Sequence, residues 1–490
     1  MDFIDALKNE INKAYTENGD LAYSSTGSYC LDLFALIGSI RGNYQDDIPM
    51  FIRAFMENKT LALKILLYAR DIRNGLGERI LFRRMYAFLG IYYPQDARKL
   101  IPYVVMYGRY DDLLCLIGTN CEDDVINLFK DTLNNDLKLI NENKNVSLLS
   151  KWLPSINTSN KKTRDYAKVI CKKLGYTYKE YRKVLALLRS NVIENNLRKK
   201  EYDFNYEFVP ANAFNKYTNA FIRNDKARYE KFLKDVENGK SKVNTKALAP
   251  YQIIHKYFNK EIKNMEDELF KKSMDTLWKS LDRTEYESNA IVVCDTSGSM
   301  YNNYYGKVLP VEVSVSLAIL MSEQLKGSLK NKFITFSENP KLVEITKETI
   351  FDKIVQVLSY SEMANTNISR VYNLLLKTAI SNHIPKENMI KKIIIVSDME
   401  FDACVSGLTT YSYYKARFNN CGYDMPEVVF WNVCSRNQTV PVKQYEENTK
   451  LVSGSSNKVI DMVMRGKSKT PYDFMIESLS PYSFIDKLFE

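Results

Sequence analysis

The chain has 490 residues, of which 45% are hydrophobic and 26% charged, with a formal net charge of +10. That is globular composition with room for two or three domains, and no stretch approaches the ~20 apolar residues of a membrane span. The start, Met1-Asp2-Phe3-Ile4-Asp5, lacks the basic and apolar parts of a signal peptide, and the 8 cysteines form no CxxC pair, so the expectation is a cytoplasmic protein with reduced thiols.

Residues 1–285 read as helices. Leu33, Leu36, Ile37 and Ile40 recur on one helical face, as do Leu63, Leu66 and Leu67 within Thr60 to Arg73. Asn74-Gly75-Leu76-Gly77 is a helix stop and turn. An amphipathic run follows from Glu78 to Tyr92, ending before Pro94, and Tyr103 to Ile117 is another helix, with Gly108-Arg109-Tyr110-Asp111-Asp112 at its middle or start. Short helices joined by tight turns suggest a helical-repeat solenoid of the HEAT kind, although no clean period shows.

The charge is uneven. Residues 141 to 260 hold 26 Lys+Arg against 11 Asp+Glu, so this block is strongly basic and the rest of the chain mildly acidic. A basic block inside a folded chain is either an electrostatic footprint for a polyanion or a solvated face. Its core is two helices. Lys161, Lys162, Arg164, Lys168, Lys172 and Lys173 decorate the first; Lys179, Arg182, Lys183 and Arg189 decorate the second. In the second, Tyr181, Val184, Leu185 and Leu188 form the buried stripe, which turns the cations outward. Tyr166, Tyr176 and Tyr178 are interleaved; cations beside aromatics suit single-stranded RNA, while tyrosines at helical spacing are more often core.

Ala69-Arg70-Asp71-Ile72-Arg73, the glycine turn and Gly77-Glu78-Arg79 resemble the helical domain of TROVE proteins, the family of the Ro autoantigen. The layout is closer still to an uncharacterised domain-of-unknown-function family, in which Lys151-Trp152-Leu153-Pro154-Ser155, Tyr181-Arg182-Lys183 and Ser397-Asp398-Met399-Glu400-Phe401-Asp402 have counterparts. The TROVE resemblance implies a helical ring closed by a von Willebrand factor A domain, with RNA ends threading the ring and helical RNA on its basic outside.

A polar step at Asp282-Arg283-Thr284-Glu285 marks a boundary. Beyond it strands alternate with helices, which implies right-handed crossovers and a parallel sheet. The second half is organised around Ile291 to Met300, IVVCDTSGSM. Ile291 to Cys294 is apolar on both faces, as in a central strand of a parallel sheet. At its carboxyl end Asp295, Ser297 and Ser299 offer hard oxygens at alternate positions, and Gly298 permits a tight turn. Such donors suit Mg²⁺ or Mn²⁺; a helix cap with turn-forming serines is the plain alternative. With only His255 and His383 in the chain, neither a histidine triad nor a histidine-rich metal site is expected.

DxSxS after a buried strand resembles the metal-ion-dependent adhesion site of von Willebrand factor A domains. That resemblance implies a Rossmann-like fold and adds Thr366 and Asp398, the latter after the strand Ile393 to Val396, as further ligands. It implies a ligand-binding metal rather than a hydrolytic one. Glu400 and Asp402 are weak candidates for a base and better read as turn carboxylates, so no enzyme is expected. Ser397 and Asn367 are expected to support the ligands.

The expected architecture is thus α plus α/β: a helical-repeat domain over 1–285, a von Willebrand A domain over 286–466, and a helical tail over 467–490 packed back on the first domain. Two functions stay open for what is expected to be a monomer. One is a Ro-like RNA-binding protein in RNA quality control or ribonucleoprotein scaffolding. The other is a module whose metal captures an acidic protein ligand.

Overall fold

The computed structural model describes residues 3–42, 44–190, 192–259, 267–302, 308–362, 367–405 and 407–490. The first half is mostly helical. Helices Tyr29–Leu36, Asp47–Glu57, Lys59–Arg70, Ile80–Tyr92 and Pro94–Tyr107 each pack on the next and the next but one. Local chemistry sets their ends. Asn58 caps Lys59–Arg70 by accepting from the Leu61 N–H at 3.0 Å. The turn after Arg70 folds onto the helix it leaves: Leu76 N–H donates to Tyr68 O and Glu78 N–H to Ala69 O. A side chain at Gly75 would stand 2.0 Å from Tyr68 O, so only glycine fits.

Tyr103 to Ile117 is not one helix. The α-helix stops at Tyr107, Gly108 departs from helical geometry at φ −122°, ψ −123°, and a 3₁₀ turn runs from Tyr110 to Leu116. Periodicity carried across the break because apolar residues line both sides of it. Before the polar step at Asp282 the helix is Glu268–Lys279, with 260–266 outside the described residues.

Helices do not fill all of residues 1–285 either. Strands β1 (Lys13–Tyr15) and β2 (Leu21–Tyr23) form an antiparallel hairpin. Two such strands are marginal alone. Tertiary contact holds them: Tyr23 and Val440 exchange backbone hydrogen bonds at 2.9 Å.

The second half carries a six-stranded sheet. Its strands are β3 (Ala290–Asp295), β4 (Lys332–Phe336), β5 (Leu342–Glu344), β6 (Lys392–Ser397), β7 (Glu427–Asn432) and β8 (Thr449–Ser453), in the order β5-β4-β3-β6-β7-β8. Only the β4–β5 pair is antiparallel. The strand order reverses between β3 and β6, the place where doubly wound sheets bind ligands. Alternation divides β3: Ile291 and Val293 pack with helices Ile368–Ser381 and Thr410–Asn420, whereas Val292 and Cys294 face helix Pro310–Gln324.

That last helix is buried almost throughout. The sheet covers one side and helix Pro250–Phe258 the other, with His255 Nδ1 2.6 Å from Glu312 Oε2. One apolar core therefore runs from the first helices to the sheet. The tail adds to it. Helices Pro471–Leu479 and Phe484–Phe489 lie against Lys59–Arg70, Tyr482 donates to Asp71 at 2.9 Å, and Phe484 stacks on Tyr103 with centroids 4.4 Å apart. Gly38 meets the end of β8 so closely that a Cβ would lie 2.7 Å from Ser453 and Gly454 backbone.

Candidate functional site

The loops after β3 and β6 meet at the switch point. Asp295 closes β3, fully buried, and its Oδ1 accepts from the Ser297 N–H at 2.9 Å. A 3₁₀ turn over Gly298–Tyr301 then brings the Ser297 and Ser299 hydroxyls to 3.2 Å from each other. Ser397, last residue of β6, donates its hydroxyl to Asp295 Oδ2 at 2.6 Å. Asp398 follows, nearly buried, its Oδ1 accepting from the Glu400 N–H and its Oδ2 from Arg436 Nη2 at 2.9 Å. Burial, with Asp398 adding its charge, pushes the Asp295 carboxyl up to about 7 against the donors Ser397 and Ser297.

This donor set fits a hard divalent cation. Two oxygens bound at right angles about 2.1 Å from an ion sit about 3 Å apart, close to the serine spacing. Two carboxylates buried side by side are costly without a cation. Among the described residues no group of three His, Cys, Asp or Glu could hold a metal, so hydroxyls would have to share the ligation. Thr366 lies outside the described residues. Asn367 caps helix Ile368–Ser381 through Arg370 N and accepts from Cys404 Sγ at 3.2 Å.

The hairpin turn of Thr16 to Asp20 covers the rim. Thr16 donates to Phe401 O at 2.6 Å, the Glu17 N–H to Glu400 Oε2 at 2.6 Å and Asn18 Nδ2 to Glu400 O at 2.7 Å. Arg436 bridges Asp398 to the Glu17 carboxylate. Burial raises both Glu400 and Asp20, the latter to about 6.

The ten cations expected to bind RNA lie on helices Lys161–Lys173 and Tyr178–Leu188, with Arg189 capping the second. Lys161, Lys162, Lys168, Lys172, Lys179, Arg182 and Lys183 are exposed. Three others are engaged. Lys173 pairs with Glu122 at 2.9 Å and Asp123 at 2.7 Å. Arg164 donates to Thr158 O. Arg189 donates to Ser150 O, Ser155 Oγ and Leu153 O at 2.6–2.8 Å, so it clamps the Lys151–Ser155 loop instead of facing solvent. Of the tyrosines, Tyr178 is exposed and Tyr181 buried.

A family model described as "Domain of unknown function (DUF2828)" matches residues 16–107 and 122–284, just over half of the chain. The chain belongs to the DUF2828 family. A second model, "Domain of unknown function (DUF7788)", matches residues 289–477. An uncharacterized protein of Acanthamoeba polyphaga mimivirus is 31% identical over 512 residues, covering 96% of this chain and 88% of its own. The crystal structure of the Deinococcus radiodurans RO (RSR) protein is similar over 93% of this chain and 96% of that one, at 11% identity and a TM-score of 0.36. So loose an overlap fixes neither fold nor activity.

In this DUF2828 chain the sequence reading missed two residues of the site. Arg436 follows the end of β7, and the rule that ligands gather at strand carboxyl ends would have pointed there. Glu17 had no such signal, since the hairpin that carries it was read as helix.

Proposed function

We propose that this chain is a non-catalytic, Ro-like RNA-binding protein acting in RNA quality control or as a ribonucleoprotein scaffold, with a von Willebrand A-type metal loop. The observation that carries the reading is the row of exposed cations on two neighbouring helices, beside the exposed ring of Tyr178. Cations held outward by a buried stripe of Tyr181, Leu185 and Leu188 track a phosphate backbone, and a neighbouring ring stacks a base. The test is RNA binding at rising salt. Wild-type affinity falls steeply with ionic strength; Lys172→Glu with Lys183→Glu weakens binding and flattens the slope. An unchanged affinity refutes the reading, and nucleic acid co-purifying with the protein, read by ultraviolet absorbance, supports it.

A second reading is favoured by the 3.2 Å serine pair beside two buried carboxylates. Here Asp295, Ser297, Ser299 and Asp398 would hold Mg²⁺ or Mn²⁺, with Thr366 as the further ligand the sequence offers. The bound ion supplies an electrophilic position for an outside carboxylate. The chain's part is to hold the hydroxyls in place, orient Asp295 through Ser397, and steady Asp398 through Arg436. A partner pull-down with and without chelator separates the two: Asp295→Ala loses an acidic partner and keeps RNA.

A further inference from the structure

Three segments notable in the sequence meet at one place that neither the metal loop nor the lysine face uses: the Arg70–Arg79 turn, Gly108–Asp112 and Lys151–Ser155. Asp112, fully buried, accepts from Arg70 Nε at 2.7 Å and Arg83 Nε at 2.8 Å. Asp111 pairs with Arg83 at 2.7 Å and Arg109 at 2.6 Å. The Arg109 guanidinium carbon lies over Trp152, 3.7 Å from the ring centroid. A Cβ on Gly108 would meet Asp112 Oδ2 at 2.6 Å, so glycine is required for the aspartate to reach both arginines.

The charges do not balance. Four guanidiniums, of Arg70, Arg79, Arg83 and Arg109, share two carboxylates. The nearby acids are taken: Glu78 pairs with Arg41, and Asp71 accepts from the backbone of Arg73 and Asn74 and from Tyr482. The imbalance also has a direction. Asp112 and Arg70 lie deepest, at 0% and 2% side-chain exposure; Asp111 is at 15%, Arg83 and Arg109 reach 27% and 21%, and Arg79 is exposed. Burial, with Arg109 and Arg83 beside it, holds the Arg79 guanidinium below the usual arginine range. Arginines crowded at the outer edge over these aspartates repel one another unless an anion enters. A fork held over an indole is also preorganised for planar, bidentate contact with phosphate oxygens.

We infer that the outer edge of this cluster, Arg79, Arg83 and Arg109 beside Trp152, is a binding site for a phosphate ester group. The RNA-binding reading makes that group part of a single-stranded backbone, and the inference rests on that reading only for this source; a free nucleotide presents the same chemistry. Arg79 is the residue to change, because it is exposed and no ion pair of the network depends on it, whereas Arg83, Arg109 and Asp112 hold the fold.

The experiment titrates full-length protein with inorganic phosphate, adenosine monophosphate and an eight-nucleotide single-stranded RNA. Binding is read by calorimetry and by tryptophan fluorescence; Trp278 and Trp431 are fully buried, so Trp152 reports. Arg79→Glu weakens the phosphate-bearing probes about tenfold or more, as loss of a charge-assisted contact predicts, and Arg79→Lys restores most of it. Thermal melts confirm that both variants fold. Arg79→Glu binding every probe like wild type overturns the site and leaves the RNA reading standing. Phosphate and the mononucleotide binding through Arg79 with no RNA binding supports the site and sinks the RNA reading. No response to any probe overturns both.

Discussion

The chain holds two polar clusters of opposite sign. At the sheet's switch point Asp295, Asp398 and Glu400 gather with one arginine, Arg436, and the paired hydroxyls of Ser297 and Ser299. In the helical region Arg70, Arg79, Arg83 and Arg109 gather on two aspartates. The first is short of positive charge and the second of negative charge. Each deficit names the chemistry of what would complete it: a hard cation in one, a phosphate in the other. A basic surface names less, because exposed lysines are satisfied by water.

The largest expected effect breaks the arginine cluster. Asp112→Ala strands Arg70, which is 2% exposed, and costs about 3–5 kcal/mol in denaturant unfolding. The next effect sharpens the other side. Mg²⁺ at a hundredfold excess over its dissociation constant stabilises the wild type by about 2.7 kcal/mol, and Ser297→Ala with Ser299→Ala shows no such shift in calorimetry.

Asp20, in the hairpin turn over the anionic cluster, shows through pH what burying a carboxylate costs beside it. Burial raises its carboxyl from 3.8 to about 6, so the folded state prefers the protonated form. The cost is absent below pH 3.8, grows as pH rises to about 6 and is constant above. Asp20→Asn, which keeps the oxygen that accepts from Thr410 at 2.8 Å, then stabilises by about 2 kcal/mol at pH 7 and hardly at pH 3.5 in paired melts. The smallest effect lies on the lysine face: Lys172→Glu with Lys183→Glu alters stability by no more than about 0.5 kcal/mol.

Much of this was legible in the sequence. The β3 strand, its polar stop and the β6 strand ending before Asp398 stand where their patterns put them, because an apolar run ended by a polar cluster has few other readings. The glycine turn after Lys59–Arg70 and the break before Pro94 were equally plain, although the helix stops at Arg70, three residues short of the Arg73 expected. What stayed hidden depends on partners distant in the chain. Lys13–Tyr15 is a strand only because Leu21–Tyr23 pairs with it, and that strand is itself held at Tyr23 by Val440. Arg189 looks like any basic helix residue until the carbonyls of Ser150 and Leu153 surround its guanidinium. Arg436 becomes part of a site only through Asp398 and Glu17.

The contact of Gly38 with the end of β8 has a further consequence. The Gly38 N–H donates to Ser453 Oγ across 415 positions of sequence, and helix Tyr29–Leu36 is buried on nearly every side. During synthesis that helix emerges early and meets the strand it packs on only when nearly all of the chain has left the ribosome. Until then only the helices that follow it, Asp47–Glu57 and Lys59–Arg70, cover part of its apolar surface. Assembly of this region is therefore slow and late, and a nascent chain released early exposes a sticky amino-terminal segment for chaperones to hold.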